Sequence, residues 1–330
     1  MHFTRRQSLY ILGSGLASAA EADLAAQWRQ IARSTDGKVG AAALHLSSGA
    51  HAALNGDDPF PLASVCKLPV AAHILAMVDE GKLRRDQEIE VLPRDIFPSV
   101  SEIAKRWPQQ TRFPLDEILQ LMVAGSDNTG VEICFRLGGG APALAERFRQ
   151  WRIGGIRIDR GEEQISLDAV EAPYPPREQW TGEMFTRLVS QATPAARQSG
   201  MTRYLSDPRD TGAPNATAQL LARAFSGKLL SQSSTSRLIE ILKATTTGPA
   251  RIKGALPEGT VVAHKTGTWN TVNGLNGATN DAGTIFLPRG AGLVAIAVYI
   301  KGSTWPEAAR ERVIAEIARA AYDFWTSPKS

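Results

Sequence analysis

Residues 280–302, NDAGTIFLPRGAGLVAIAVYIKG, read as two strands separated by Pro-Arg-Gly and Ala-Gly turn residues, and GTVVAHKTGTW at 259–269 reads as a third strand just before them. WPEAARERVIAEIARAAYDFW at 305–325 then closes the chain as a long amphipathic helix. The opposite end mirrors this. EADLAAQWRQIARS at 21–34 has apolar residues at helical spacing, and KVGAAALHLSSGAHAALNG at 38–56 reads as two short strands around Ser47-Ser48-Gly49. Strands at both ends of a chain predict one antiparallel sheet completed by both termini, with whatever lies between inserted into it.

The middle is helical. From Ser64 to about Lys243 the patterns SVCKLPVAAHILAMVDEGK (64–82), PLDEILQLMVAG (114–125), NTGVEICFRLG (128–138), APALAERFRQW (141–151), PNATAQLLARAFSGKLL (214–230) and SSTSRLIEILKATT (233–246) follow helical periodicity. Arg160 to Asp210 is the least regular part, because prolines in EAPYPPREQW (171–180) and SDPRDTGAP (206–214) interrupt any helix, and it reads as a long surface excursion.

Bulk properties narrow the class. With 330 residues and 43% apolar content the chain can bury a sizeable core, which excludes disordered and collagen-like classes. The start, MHFTRRQSLYILGSGLASAAEAD, has a basic opening, an apolar run from Leu9 to Ala17 and small residues through Ala19, the layout of an export signal cleaved near Ala19 or Ala20. Thr4-Arg5-Arg6 resembles a twin-arginine signal. No later stretch reaches the ~18 to 20 continuous apolar residues of a membrane-spanning helix, so the expectation is a periplasmic or secreted protein with no membrane anchor after cleavage. Of the net charge of +4, Arg5 and Arg6 supply two, and no dense basic stripe remains to track a phosphate backbone. Nucleic acid is therefore not an expected partner. Cys66 and Cys134 both sit in apolar helical patterns and read as free, buried thiols.

Three short motifs carry chemistry. In ASVCKLPVA (63–71), Ser64 and Lys67 stand i and i+3 on one helix face near its start. Unpaired N–H groups and the dipole favour negative charge there, and burial lowers a lysine's pKa so that it can accept a serine proton. Alone, this pair also fits a capping serine and a lysine that snorkels to water. GSDNTG (125–130) places Ser126, Asp127 and Asn128 between two helices, as a capped turn would. HKTGT (264–268) puts Lys265 on a strand, as an edge strand would. The five histidines, His2, His45, His51, His73 and His264, show no metal-ligand spacing, and no metal or other cofactor is expected.

In this order and spacing the three motifs resemble the S-x-x-K, S-D-N and K-T-G signature of the class A β-lactamases, within the penicillin-binding-protein/β-lactamase superfamily. DRGEEQI (159–165) resembles the R-x-E opening of the family's omega loop, DPRDTGAPNATAQLL (207–221) its exit, and TTTGPARIKGALPEG (245–259) the segment before the K-T-G strand. The likeness covers almost the whole mature chain. It implies an α/β (α+β) fold in which a five-stranded antiparallel sheet is flanked by terminal helices and carries an inserted all-helical domain. The expected division is a signal over 1–20, a sheet domain over 21–62 and 246–330, and a helical domain over 63–245 with an omega loop at about 157–213.

The resemblance also implies roles. Ser64 is the nucleophile and Lys67, or Glu162 through a water, its base, with Ser126 relaying a proton to the departing nitrogen. The backbone N–H groups of Ser64 and Thr268 hold the oxyanion, and Glu162 activates the deacylating water. Asn128 bonds the substrate's amide, Lys265, Thr266 and Arg251 grip its carboxylate, and Gly267 completes the substrate-binding strand. Arg160 pairs with Asp210 across the loop neck. The implied substrates are β-lactams, hydrolysed by a monomer. A peptidase or acylated sensor of the same fold would lack the deacylating carboxylate.

Three departures stand out. Ser166 occupies the position, four after Glu162, where the family usually has asparagine. Glu162 and Asp210 are 48 positions apart, so the loop carries an insertion, VEAPYPPREQWTGEMFTRLVSQATPAARQSG. Trp269 follows the strand where a small residue is common. Glu163 competes with Glu162 for the base, the R-x-E register favouring Glu162, and Phe97 is the one aromatic offered as a flank of the pocket.

Overall fold

The computed structural model describes residues 19–327; most of the expected export signal lies outside them, only Ala19 and Ala20 falling in the first helix. In chain order the strands are β1 (Lys38–His45), β2 (His51–Leu54), β3 (Phe60–Pro61), β4 (Glu88–Glu90), β5 (Arg112–Pro114), β6 (Thr211–Gly212), β7 (Val262–Thr268), β8 (Thr271–Val272), β9 (Leu275–Asn276), β10 (Thr279–Phe286) and β11 (Leu293–Lys301). Five of them form one antiparallel sheet in the order β2-β1-β11-β10-β7. First and last strands pair in its centre, from Lys38 opposite Lys301 to His45 opposite Val294.

The period-two alternation of β11 explains why it is central. Val294, Ile296, Val298 and Ile300 pack under the terminal helices, whereas Ala295, Ala297 and Tyr299 face the helical block. Branched residues fill one layer; on the other, two alanines let helices approach and Tyr299 fills the space beside them. The terminal layer consists of α1 (Ala19–Ala32) and, at the far end of the chain, the helix Glu307–Thr326. Val313, Ile314, Ile317, Ala318 and Ala321 make the inner stripe of that last helix, and Trp28 Nε1 donates to Ile317 O at 3.1 Å.

Between them the block contains α2 (Lys67–Asp79), α3 (Glu102–Arg106), α4 (Leu115–Ala124), α5 (Asn128–Leu137), α6 (Gly140–Gln150), α7 (Glu162–Asp168), α8 (Gly182–Ser190), α9 (Pro194–Ser206), α10 (Pro214–Phe225) and α11 (Gln232–Lys243), which leaves α12 as the last helix. Lys67 through Ala76 of α2 are all buried, so this helix is the axis of the block. Cys66 and Cys134 are free and buried, as the apolar patterns around them predict. Among the described residues no helix is long and apolar enough to cross a membrane.

Two expectations are corrected. The region from Arg160 to Asp210 is not irregular: it contains α7, α8 and α9. Its prolines fall between helices or at Pro194, the first helical position of α9, where a missing N–H costs nothing. Thr181 caps α8 and Thr193 caps α9, accepting from Met184 N and Ala196 N at 3.1 Å each. Phe97, Leu167, Trp180 and Phe185 give the inserted region a small core of its own. Gly200 lets α9 cross the end of α7, since a Cβ there would lie 1.9 Å from Ala169 O. The second correction concerns Ser64, expected on the helix near its start, which lies in a 3-10 turn, Ala63–Cys66, ahead of α2.

Candidate active site

The 3-10 turn before α2 presents Ser64 at the open edge of the sheet, beside β7. The i to i+3 spacing holds: Lys67 Nζ donates to Ser64 Oγ at 2.9 Å. Lys67 is fully buried, and its Nζ also faces Ser126 O at 3.0 Å, Ser126 Oγ at 3.3 Å, Asn128 Oδ1 at 2.5 Å and Glu162 Oε1 at 3.6 Å. A buried amine is tolerated because oxygen replaces water around it.

The turn between α4 and α5 supplies two of those oxygens. Asp127 caps α5 through Gly130 N at 2.8 Å and also accepts from Ser101 Oγ and the N–H groups of Glu102 and Ile103, tying the turn to α3. Ser126 adopts a positive φ of 61°, and its hydroxyl lies between two lysines, 3.3 Å from Lys67 Nζ and 3.0 Å from Lys265 Nζ. Lys265 is completely buried, and burial, with Lys67 close by, pushes its pKa down to about 7.

Strand β7 lines the other wall. Trp269 N donates to Ala278 O at 2.9 Å, so with period two the N–H of Thr268 points away from β10, to the open edge where Ser64 lies. Gly267 permits this closeness, because a Cβ there would be 2.6 Å from Leu62 O and 3.0 Å from Val65 N. Thr266 Oγ1 is 2.5 Å from Thr247 Oγ1. Arg251 is buried beside the strand, donating to Thr268 Oγ1 at 2.7 Å, Gly267 O at 3.1 Å and Asn280 O at 2.9 Å, with Glu307 and Glu311 as its counterions.

The third wall is α7. Glu162 reaches Lys67, while Glu163 turns the other way, to Arg177 and to Tyr174 Oη at 3.2 Å, so of the two glutamates only Glu162 faces Ser64 and Lys67. Glu162 N donates to Glu132 Oε1 at 2.6 Å. Glu132 is buried, which raises its carboxyl pKa against the pull of Arg177, whose Nη2 lies 3.3 Å away. The neck of the loop is tied as the sequence suggests: Arg160 Nε donates to Asp210 Oδ2 at 2.6 Å, and its Nη atoms meet Asp168 at 2.5 Å and Asp207 at 3.2 Å. Burial and the Glu162 carboxylate push the Cys66 thiol upward, leaving it an inert packing group.

These walls enclose a cleft of about 1250 Å³. Ser64, Ser126, Asn128, Glu162, Ser166, Arg251, Thr266, Thr268 and Trp269 line it, with Phe97, while Lys67, Lys265 and Gly267 are buried behind its surface. Trp269 stacks on Tyr204 with ring centroids 4.4 Å apart. Sequence reasoning missed Glu132 and Arg177. Glu132 had a legible signal, standing one turn after Asn128 on the same face of α5; Arg177, from within the insertion, had none.

Fold and site together define a serine hydrolase. The model of the β-lactamase enzyme family matches residues 23–325. The chain is 31% identical to β-lactamase VEB-1 of Pseudomonas aeruginosa over 89% of its length and 88% of that protein, and 32% identical to the extended-spectrum β-lactamase PER-1 of the same organism over 82% and 77%. A crystal structure of a β-lactamase from Chitinophaga pinensis superposes with a TM-score of 0.77 at 34% identity, covering 91% of this chain and 98% of that one. The TLA-1 extended-spectrum β-lactamase superposes with a TM-score of 0.78 at 28% identity, covering 93% and 100%. The chain belongs to the β-lactamase enzyme family, among the class A serine enzymes.

Proposed function

We propose that this protein hydrolyses the amide bond of β-lactam antibiotics through an acyl-enzyme on Ser64. One observation carries the reading: a single buried amine nitrogen, Lys67 Nζ, lies 2.9 Å from Ser64 Oγ and 3.6 Å from Glu162 Oε1, so nucleophile and carboxylate share one proton network. Ser64 Oγ attacks the lactam carbonyl, giving its proton to Lys67 or through a water to Glu162. The N–H groups of Ser64 and Thr268 hold the oxyanion. The C–N bond then breaks, and Ser126, between the two lysines, delivers the proton to the nitrogen. Water deprotonated by Glu162 cleaves the ester and regenerates Ser64. Asn128 orients the substrate amide, and Lys265, Thr266 and Arg251 hold its carboxylate, Arg251 partly through Thr268. Ser166 lines the cleft near Glu162, and Trp269 bounds its mouth.

The sheet region over 21–62 and 246–330 and the helical region over 63–245 act as the two halves of this site. The protein is exported to the periplasm or beyond by residues 1–20, and works as a monomer without a cofactor. The test is turnover of a chromogenic cephalosporin, with intact mass read on the same samples for wild type and Glu162→Gln. Sustained turnover by wild type, with an adduct on Ser64 trapped only in the variant, supports the reading. A single stoichiometric burst from both refutes it in favour of a penicillin-binding or sensor protein.

A further inference from the structure

The cleft does not end at Ser64. Its lining extends into an arm formed by Phe185 and Val189 of α8, Arg197 and Met201 of α9, and Val272 and Asn273 of the β8–β9 hairpin. The hairpin and α9 are fixed to each other by Asn273 Nδ2 donating to Gln198 Oε1 at 2.7 Å and by Val272 and Leu275 packing with Tyr204, which also stacks on Trp269 just before the hairpin. Both helices lie within the stretch that lengthens the loop between Glu162 and Asp210, so this arm is the insertion's own contribution to the cleft.

Its charge is unbalanced. Every carboxylate that lines the cleft already has a cation: Glu162 has Lys67, and Glu307 and Glu311 have Arg251. The arginines Arg177, Arg203 and Arg209 of the same loop are likewise paired, with Glu163, Glu171 and Asp207. Arg187 and Arg197 are different, and of these two it is Arg197 that lines the cleft. It is half-buried and donates through Nη2 to Val189 O at 2.5 Å, and among the described residues no carboxylate lies within ion-pair distance. One hydrogen bond leaves most of its five donors unused, in a setting whose apolar walls reduce screening.

Building on the β-lactam reading above, we propose that the arm receives a long acyl substituent of the substrate, its apolar stem lying between Val189 and Val272 and its far end a carboxylate held by Arg197. Charge and shape select together: the walls bind the stem unselectively, while the guanidinium distinguishes an acid from a neutral terminus.

The test compares two lactams on one nucleus, whose long acyl arms end in a carboxylate or in the corresponding amide. Wild type is expected to favour the carboxylate about tenfold in kcat/KM, mainly through KM, and Arg197→Gln to remove the preference. Arg197→Glu is expected to invert it toward an amine-ended arm. A wild-type ratio near one, or a ratio that Arg197→Gln leaves unchanged, overturns the proposal. Calorimetric binding to the Ser64→Ala protein reads the same ratio without turnover. Absence of hydrolysis in wild type therefore counts against the proposed function alone, and absence of the binding preference against the arm alone.

Discussion

Arg177 is the cation on which two buried carboxylates depend, and Arg177→Ala tests what holds Glu162 in place. A Cβ on Gly161 would lie 2.8 Å from both oxygens of Glu132 and 2.9 Å from Glu163 Oε2, so the two carboxylates face each other across this glycine. Glu163 Oε2 has no hydrogen-bond partner. Removing one member of a buried ion pair costs about 3–5 kcal/mol. Arg177 is 30% exposed, and Tyr174 still donates to Glu163 in the variant, which reduces the expected loss to about 1–3 kcal/mol. For a chain of this length that lowers Tm by roughly 2–6 °C.

The sign of the pH dependence follows from burial. The Glu132 carboxyl is held above its usual range in the fold, so the folded state keeps a proton that the unfolded chain releases, and stability falls as pH rises through that window. Loss of Arg177 lifts the folded value further. The Tm deficit of the variant relative to wild type is therefore flat at acid pH and grows as pH rises through about 7, where wild-type Glu132 releases its proton and the variant's does not. Thermal unfolding at several pH values measures it, and Glu132→Gln added to Arg177→Ala is expected to remove the part due to Glu132 while keeping an oxygen for Glu162 N. A deficit that is flat with pH, or no deficit, refutes the reasoning.

Gly267→Ala places a methyl against Leu62 O and Val65 N, pushing β7 from the Ser64 turn; a fall in kcat of about a hundredfold is expected, the scale of losing one oxyanion donor, and unchanged kinetics would dismiss the close approach as a requirement. Arg160→Ala leaves Asp168, Asp207 and Asp210 without their shared cation and is expected to cost about 3 kcal/mol, read by denaturant unfolding, with proteolysis of the wild type and variant showing whether cuts concentrate in α7 to α9. Lys265, pushed down to about 7, loses its charge as pH rises through that value, so KM for a lactam bearing a carboxylate should increase from about pH 6 to about pH 9; a KM constant over this range would remove Lys265 from carboxylate binding.

What was legible in the sequence follows physical rules of differing reach. The five main strands and the closing helix announce themselves because their apolar periodicity is local, and the motif residues because proximity of Ser64 to Lys67 needs only one helical turn. Insertion helices α8 and α9 were hidden for the opposite reason: prolines look like helix breakers unless it is known that Pro194 stands at a first helical position. Arg177 and Arg197 were invisible because their partners, Glu132 with Glu163 in one case and the cleft in the other, come from elsewhere in the chain. Ser64, expected in the first turn of the helix, lies in a 3-10 turn just ahead of it, a tightening that periodicity does not register.

The pairing of β1 with β11 has a consequence for synthesis. A chain emerging from the ribosome presents β1 early, with one edge bare until the last strand has been translated. Helices α2 to α11 can gather meanwhile, bringing Ser64, Lys67 and Ser126 together, but Lys265 and Thr268 arrive with the final sheet. Non-local pairing of this kind delays folding until the chain is nearly complete. A prematurely terminated product therefore has nothing partial to offer: it lacks a wall of the cleft and exposes a strand edge, making it a substrate for proteases and aggregation rather than a weaker enzyme.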